Sequence, residues 1–171
     1  MRGMLPAKTS LLMAILCVGL MGVLLACHSD RYESSYPSLA DAEKDGAITR
    51  GWIPTFLPES SRAIHEIHDL SPSTEWCAFE FLPNDSQNLR KNLKSVDALT
   101  ASARRVPSPS VAWWPAVLKG DLDVEKIHKA GFDLYELVIP ATPSTKAVQL
   151  FAIDWTKGRG FFYETAAYGG E

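Results

Sequence analysis

Ala147-Val148-Gln149-Leu150-Phe151-Ala152-Ile153-Asp154-Trp155 is the stretch on which the fold turns. In an extended chain successive side chains point to opposite faces. Val148, Leu150 and Ala152 then share one face, and Phe151, Ile153 and Trp155 share the other. Apolar residues on both faces mark a central or well-covered strand rather than one wetted on one side. Lys157-Gly158-Arg159-Gly160 follows as a tight hairpin turn, and Gly160–Ala166 returns as a second strand. On the other side, Phe132–Ile139 reads as a strand joined to the central one through Pro140-Ala141-Thr142-Pro143-Ser144.

A fourth strand is read at Trp76–Leu82, with Cys77, Phe79 and Phe81 on one face and Trp76, Ala78 and Glu80 on the other. Helical signals lie between and before these strands. Ser38 reads as an N-cap with Asp41 three residues on, and Gly46 suits the end of a helix over Leu39–Asp45. Pro58-Glu59-Ser60-Ser61 is expected to open a second helix through about His68, with Ile64 and Ile67 on its inner face. Leu89, Leu93, Val96 and Leu99 follow helical spacing after Pro83-Asn84-Asp85. Arg50-Gly51-Trp52-Ile53-Pro54-Thr55-Phe56-Leu57-Pro58 is an apolar loop, because two prolines four apart exclude a regular helix or central strand. The expected fold class is α+β: a four-stranded, mainly antiparallel sheet with helices over one face.

The first 27 residues have a different character. Arg2 and Lys8 precede an apolar run from Leu11 to Leu25, shorter than the roughly 20 residues that span a bilayer as a helix. Leu24-Leu25-Ala26-Cys27 closes the run. This segment resembles a bacterial lipoprotein signal peptide with its lipobox. The resemblance implies cleavage before Cys27 and lipid attached to that cysteine, at the bacterial cell envelope. His28 after the cysteine, rather than aspartate, resembles the sorting pattern of lipoproteins on the periplasmic side of an outer membrane. The expected organisation is a signal peptide over 1–26, a polar tether over 27–37 and a single globular domain over 38–171. Arg50-Gly51-Trp52-Ile53-Pro54, Leu57-Pro58-Glu59-Ser60 and Ile64–Leu70 also resemble a pattern of uncharacterised bacterial lipoproteins, which implies an address and a shared fold but no reaction.

Cleavage removes 26 of 171 residues, leaving 145, enough for one ordinary domain. It takes away two of the 17 basic residues and none of the 20 acidic ones, so the mature part has a net charge of −5. That balance argues against general nucleic-acid binding. Cys17 goes with the signal, and an acylated Cys27 leaves Cys77 without a partner in the chain, so packing must hold the domain together.

Candidate chemistry is sparse. On a helix His65 and His68 would be i, i+3 and near enough to share a metal, with Glu66 or Asp69 as an added ligand. Zinc sites need three or four ligands, and the spacing differs from the His-Glu-x-x-His of metalloproteases. The preferred reading makes His68 a turn partner and leaves His65 in water, with no metal and no cofactor. Cys77 sits among phenylalanines with no basic neighbour to activate it. Asp121-Leu122-Asp123-Val124-Glu125 lacks the glycine and spacing of a calcium loop, and Arg90, Lys91, Lys94, Arg104 and Arg105 read as a solvated basic face. No catalytic residue is assigned. The expectation is a lipid-anchored binding or structural domain, held to the membrane through acylated Cys27 and meeting an envelope protein partner. The alternative is an envelope hydrolase or metal-dependent enzyme using His65, His68 and an acid. Trp52, Trp113 and Trp114, all on proline-marked loops, are the candidate interaction surface.

Overall fold

The computed structural model describes residues 30–71, 73–137 and 147–166. The lipobox, the start of the expected tether and the Pro140–Ser144 connection lie outside the described residues.

Seven strands form one sheet in the order β1-β2-β3-β9-β8-β7-β4, every neighbouring pair antiparallel. They are β1 (Arg31–Ser38), β2 (Arg62–Leu70), β3 (Ser73–Glu80), β4 (Leu93–Ser95), β7 (Asp133–Leu137), β8 (Ala147–Asp154) and β9 (Arg159–Ala166). Two short strands, β5 (Arg105–Val106) and β6 (Gly120–Asp121), pair separately. Among the described residues there are also four short α-helices, α1 (Leu39–Asp45), α2 (Gln87–Asn92), α3 (Ala98–Ser102) and α4 (Val124–Lys129), and two single 3-10 turns, Pro83–Asp85 and Ala116–Leu118.

The fold is therefore mostly β, and the expected four-stranded sheet with helices over one face is corrected in two respects. The sheet is larger, and short helices and loops cover both of its faces. One face carries Phe162, Phe151, Phe79, Cys77 and Ile64 beneath the 39–60 segment. The other carries Phe161, Tyr163, Trp76, Leu134 and Ile67 beneath the 96–127 region. These are the Phe162 face and the Phe161 face of the sheet.

Most of the difference comes from one segment. Residues 62–70, read as the end of a helix, are β2. Ile64 and Ile67 are three apart and lie on opposite faces, each fully buried in a different core. A strand covered on both sides loses the apolar–polar alternation that identifies a strand in sequence. β1 is the second surprise. The polar run expected to be tether is an edge strand from Arg31, paired with β2 from Arg31↔Asp69 to Ser38↔Arg62. Only Tyr36 in it is buried. The expected helix through Leu99 is also broken: α2 ends at Asn92, and β4 then joins β7 at the far edge of the sheet.

Other features follow the sequence reading. Ser38 caps α1 by accepting from the Asp41 amide at 3.2 Å, and Gly46 closes it in the left-handed region at φ +82°. β8 is interior, between β7 and β9. Ile53 and Leu57 pin the proline-marked loop to the Phe162 core.

Candidate functional site

Cross-strand partners share a face of a sheet. The register places Tyr32 of β1 beside His68 of β2, His68 beside Glu75 of β3, Glu75 beside Glu164 of β9, and Glu164 beside Gln149 of β8. These five residues form a polar row across the Phe162 face, next to the apolar row of Cys77, Phe162 and Phe151. The loop after α1 covers the row. The Trp52 indole stacks on His68 with ring centroids 4.0 Å apart, and the Arg50 guanidinium lies 4.0 Å from the Trp52 ring. Arg50 is held in turn by Asp45, at 2.6 Å to its carboxylate and 2.8 Å to its carbonyl, and Tyr36 donates to the same carboxylate at 2.9 Å.

A cleft of about 290 Å³ lies between this loop and the sheet, lined by Arg50, Gly51, Trp52, Ser73, Glu75 and Glu164. A second hollow of about 210 Å³ adjoins it, sharing Gly51 and Glu164 and reaching Thr55, Phe56 and Gln149. The first is polar and the second largely apolar, so together they offer hydrogen-bonding groups beside a hydrophobic wall. Gln149 donates through its amide to Glu164.

Burial governs the charge state here. Glu66 is fully buried, and its carboxyl is pushed up to about 8, held back only in part by the nearby positive charge of Arg50. Glu75 is also pushed up to about 8, first by burial and then by the neighbouring Glu164 and Glu66. Burial raises Glu164 as well. His68 is driven the other way, down from its ordinary value, by burial and then by Arg50. Glu66 Oε1 and His68 Nδ1 are 2.5 Å apart. The two shifts describe a neutral pair, in which protonated Glu66 donates to the unprotonated Nδ1. The other oxygen of Glu66 is buried without a hydrogen-bond partner.

These shifts set a pH dependence. A carboxyl with a raised folded-state pKa holds its proton where the unfolded chain has released it, so it favours folding at low pH. Its contribution is complete below the ordinary carboxylate value and is lost as pH rises through about 8. One such group gives a slope of up to about 1.4 kcal/mol per pH unit within that window. His68, with its lowered pKa, acts in the opposite sense below its usual titration range. Thermal unfolding is therefore expected to show stability falling between about pH 6 and 8, and Glu66→Gln should flatten the fall. Equal slopes in wild type and Glu66→Gln would refute the neutral pair.

The residues singled out in the sequence are dispersed. His65 and His68 lie on opposite faces of β2, because they are an odd number of residues apart on a strand. His65 stacks on Trp113, with centroids 5.8 Å apart, and bonds Ser35 Oγ at 2.9 Å. The helical geometry behind a shared metal is thus replaced by a sheet between the two rings. Among the described residues, no three His, Cys, Asp or Glu side chains are grouped to hold a metal.

Trp52 stands at the rim of the cleft. Trp114 is buried and its indole donates to Leu118 O at 3.1 Å, while Trp113 is partly buried beside it. Cys77 is fully buried and burial raises its thiol, so it is no nucleophile. Asp123 caps α4, accepting from the Lys126 amide at 3.1 Å. Four of the five basic residues are engaged: Arg104 and Lys94 pair with Glu136, Arg105 with Asp121, and Arg90 lies over Trp155. Glu75 and Glu164 were missed as site residues, although both fall on the inward parity of their strands, in phase with Cys77 and Phe162.

An antiparallel sheet with a polar cleft under the loop after α1 is thus the class that the fold defines. Residues 30–80 match the family model of the YbbD head domain. That span runs from the start of β1 to the end of β3 and includes Arg50, Trp52, Glu66, His68 and Glu75. The match points to a bacterial family and is compatible with a bacterial protein. No curated protein and no solved structure matches the chain.

Proposed function

We propose that the chain is a lipid-anchored domain of the bacterial cell envelope that binds another envelope component through the cleft beneath Trp52. The anchor is read from Leu24-Leu25-Ala26-Cys27, which is the observation that carries the proposal. The side of attachment is the periplasmic face of the outer membrane, from His28 after the cysteine. Among the described residues no helix is long and apolar enough to cross a membrane. The cleft supports binding rather than the histidine-based enzyme. His65 and His68 are divided by the sheet, and each ring is already stacked on a tryptophan.

The test has two parts. Intact-mass analysis of membrane-extracted protein should give a chain that starts at Cys27 and carries several acyl chains, since one chain gives only reversible attachment. Cys27→Ala should shift the domain to the soluble fraction or leave uncleaved precursor, and an unmodified or differently placed N-terminus refutes the anchor. A photo-crosslinking residue at exposed Thr55, on the second hollow, should capture a defined envelope component that one at exposed Leu99 does not. Equal capture at both places refutes the cleft as the binding surface.

A further inference from the structure

We propose that the end of the sheet carrying Asp30, Tyr32 and Leu70 is a membrane-contacting surface, with the Leu70 hairpin tip and Tyr32 resting on the lipid to which Cys27 is attached. The inference rests on the lipid-anchor reading above and adds an orientation to it.

The reach of the stem sets this orientation. The Leu70 amide donates to Asp30 O at 3.0 Å, and β1 pairs with β2 from the next residue onward. The chain is therefore fixed to the sheet from Asp30, and not from the end of an eleven-residue tether. Three residue steps separate Cys27 from Asp30, and an extended chain covers at most about 3.6 Å per step, or about 11 Å in all. β3 alone, from Ser73 to Glu80, is about 23 Å long at the usual rise of a strand. The stem is thus shorter than the sheet is tall, and a domain on it cannot turn its far end to the lipid. The near end is where β1 begins, where β2 ends and where β3 begins.

The surface there suits that position. Four large hydrophobic residues are exposed among the described ones, and two of them, Leu70 at 58% and Tyr32 at 50%, sit at this end. Leucine gains by leaving water, and tyrosine has an apolar ring with a polar tip that suits a membrane–water boundary. Leu82, 49% exposed, marks the opposite end, beyond Glu80. The cleft is drawn into the same geometry. Ser73 and Glu75 begin β3 and Glu164 lies near the end of β9, so the cleft stands at the lipid-proximal end. Its ligand is then a component reached at the membrane surface.

The experiment uses mature, acylated protein reconstituted in phosphatidylethanolamine–phosphatidylglycerol vesicles that contain a spin-labelled lipid with its nitroxide near the headgroup. A fluorophore is placed at Leu70→Cys, Tyr32→Cys or Leu82→Cys, Cys77 being buried. Quenching at positions 70 and 32 should exceed that at 82 by about twofold or more, since the far end stands a further ~23 Å away. Equal quenching at the two ends, or stronger quenching at 82, in protein whose mass confirms lipid on Cys27 overturns the orientation and leaves the anchor standing. A mass without lipid removes the anchor and this proposal with it.

Discussion

Gly158→Ala is expected to destabilise the domain by about 3 kcal/mol or more, the sum of a left-handed backbone and a collision that the core cannot relieve. Gly158 has φ +62° in the turn between β8 and β9. A Cβ built there lies 1.9 Å from the carbonyl oxygen of Phe81 and 3.1 Å from its carbonyl carbon. No side-chain rotation helps, because both atoms are backbone. The same two residues are also joined in the native state, the Phe81 amide donating to Gly158 O at 2.7 Å. Phe81 is 1% exposed, so moving its peptide outward would open the Phe162 core. Gly51 is the control. It too has a left-handed backbone, at φ +84°, but nothing lies within 4 Å of its added Cβ. Gly51→Ala should therefore cost the conformational term alone, about 1 kcal/mol. Urea unfolding of the two variants measures the difference. Equal losses would mean that the contact with Phe81 contributes nothing.

This turn shows what the sequence can disclose. Lys157-Gly158-Arg159-Gly160 announced a hairpin by composition, and the apolar residues on both faces of 147–155 announced an interior strand. Both follow from local chemistry: a glycine for positive φ, and alternation that fails because both faces are covered. The second rule, applied to 62–70, would have recovered β2. There the signal was obscured by Glu66 and His68, whose polarity gave the segment the look of an amphipathic helix with Ile64 and Ile67 inside. Their burial becomes intelligible only with the neighbouring strands and the Arg50–Trp52 loop in place. β1 was hidden for the opposite reason. An edge strand with one buried side chain has the composition of a linker, and its pairing partner lies some 30 residues away.

The candidate site was legible in parts. His68 and Trp52 stood out singly, but their stacking depends on a loop folding back over a strand, which no spacing rule encodes. Glu75 and Glu164 become neighbours only through the β3–β9 register, across 89 residues of chain. A usable signal was nonetheless present in phase: an acid two residues from Cys77 or Phe162, on a strand whose inward positions are apolar, is directed inward unless the strand ends first. Where such acids recur on adjacent strands, a polar row on a buried face is the expected result. Titration follows from that arrangement, because the two carboxyls of the row and Glu66 in the row beside it share a low-dielectric surface with one guanidinium nearby.

Trp114→Ala should cost about 4 kcal/mol, placing it among the most damaging single substitutions in the chain. Adjacent tryptophans in the loop after Pro109 were expected to offer a contact surface. The structure gives the two rings different tasks. Trp114 is 3% exposed, with its N–H bonded to Leu118 O. It meets Phe161 edge-on with centroids 5.7 Å apart, and Phe161 in turn meets Phe132 edge-on at 5.5 Å. Removing the indole would leave a large void between the 113–118 loop and the sheet, and would orphan a buried carbonyl as well. Trp113 contributes less. It lies partly buried, stacks on His65 from the outer side and leaves its own N–H buried without a hydrogen-bond partner. Trp113→Ala loses part of an apolar contact but also removes that unsatisfied donor, so the two effects oppose each other. A loss of about 1–2 kcal/mol is the expected balance, with partner capture unchanged because the cleft lies on the other face of the sheet. Denaturant unfolding of both variants decides the matter. If the two losses are equal, or Trp113 is the larger, then the core of the Phe161 face is not organised around Trp114, and the outer indole carries the weight assigned here to the inner one.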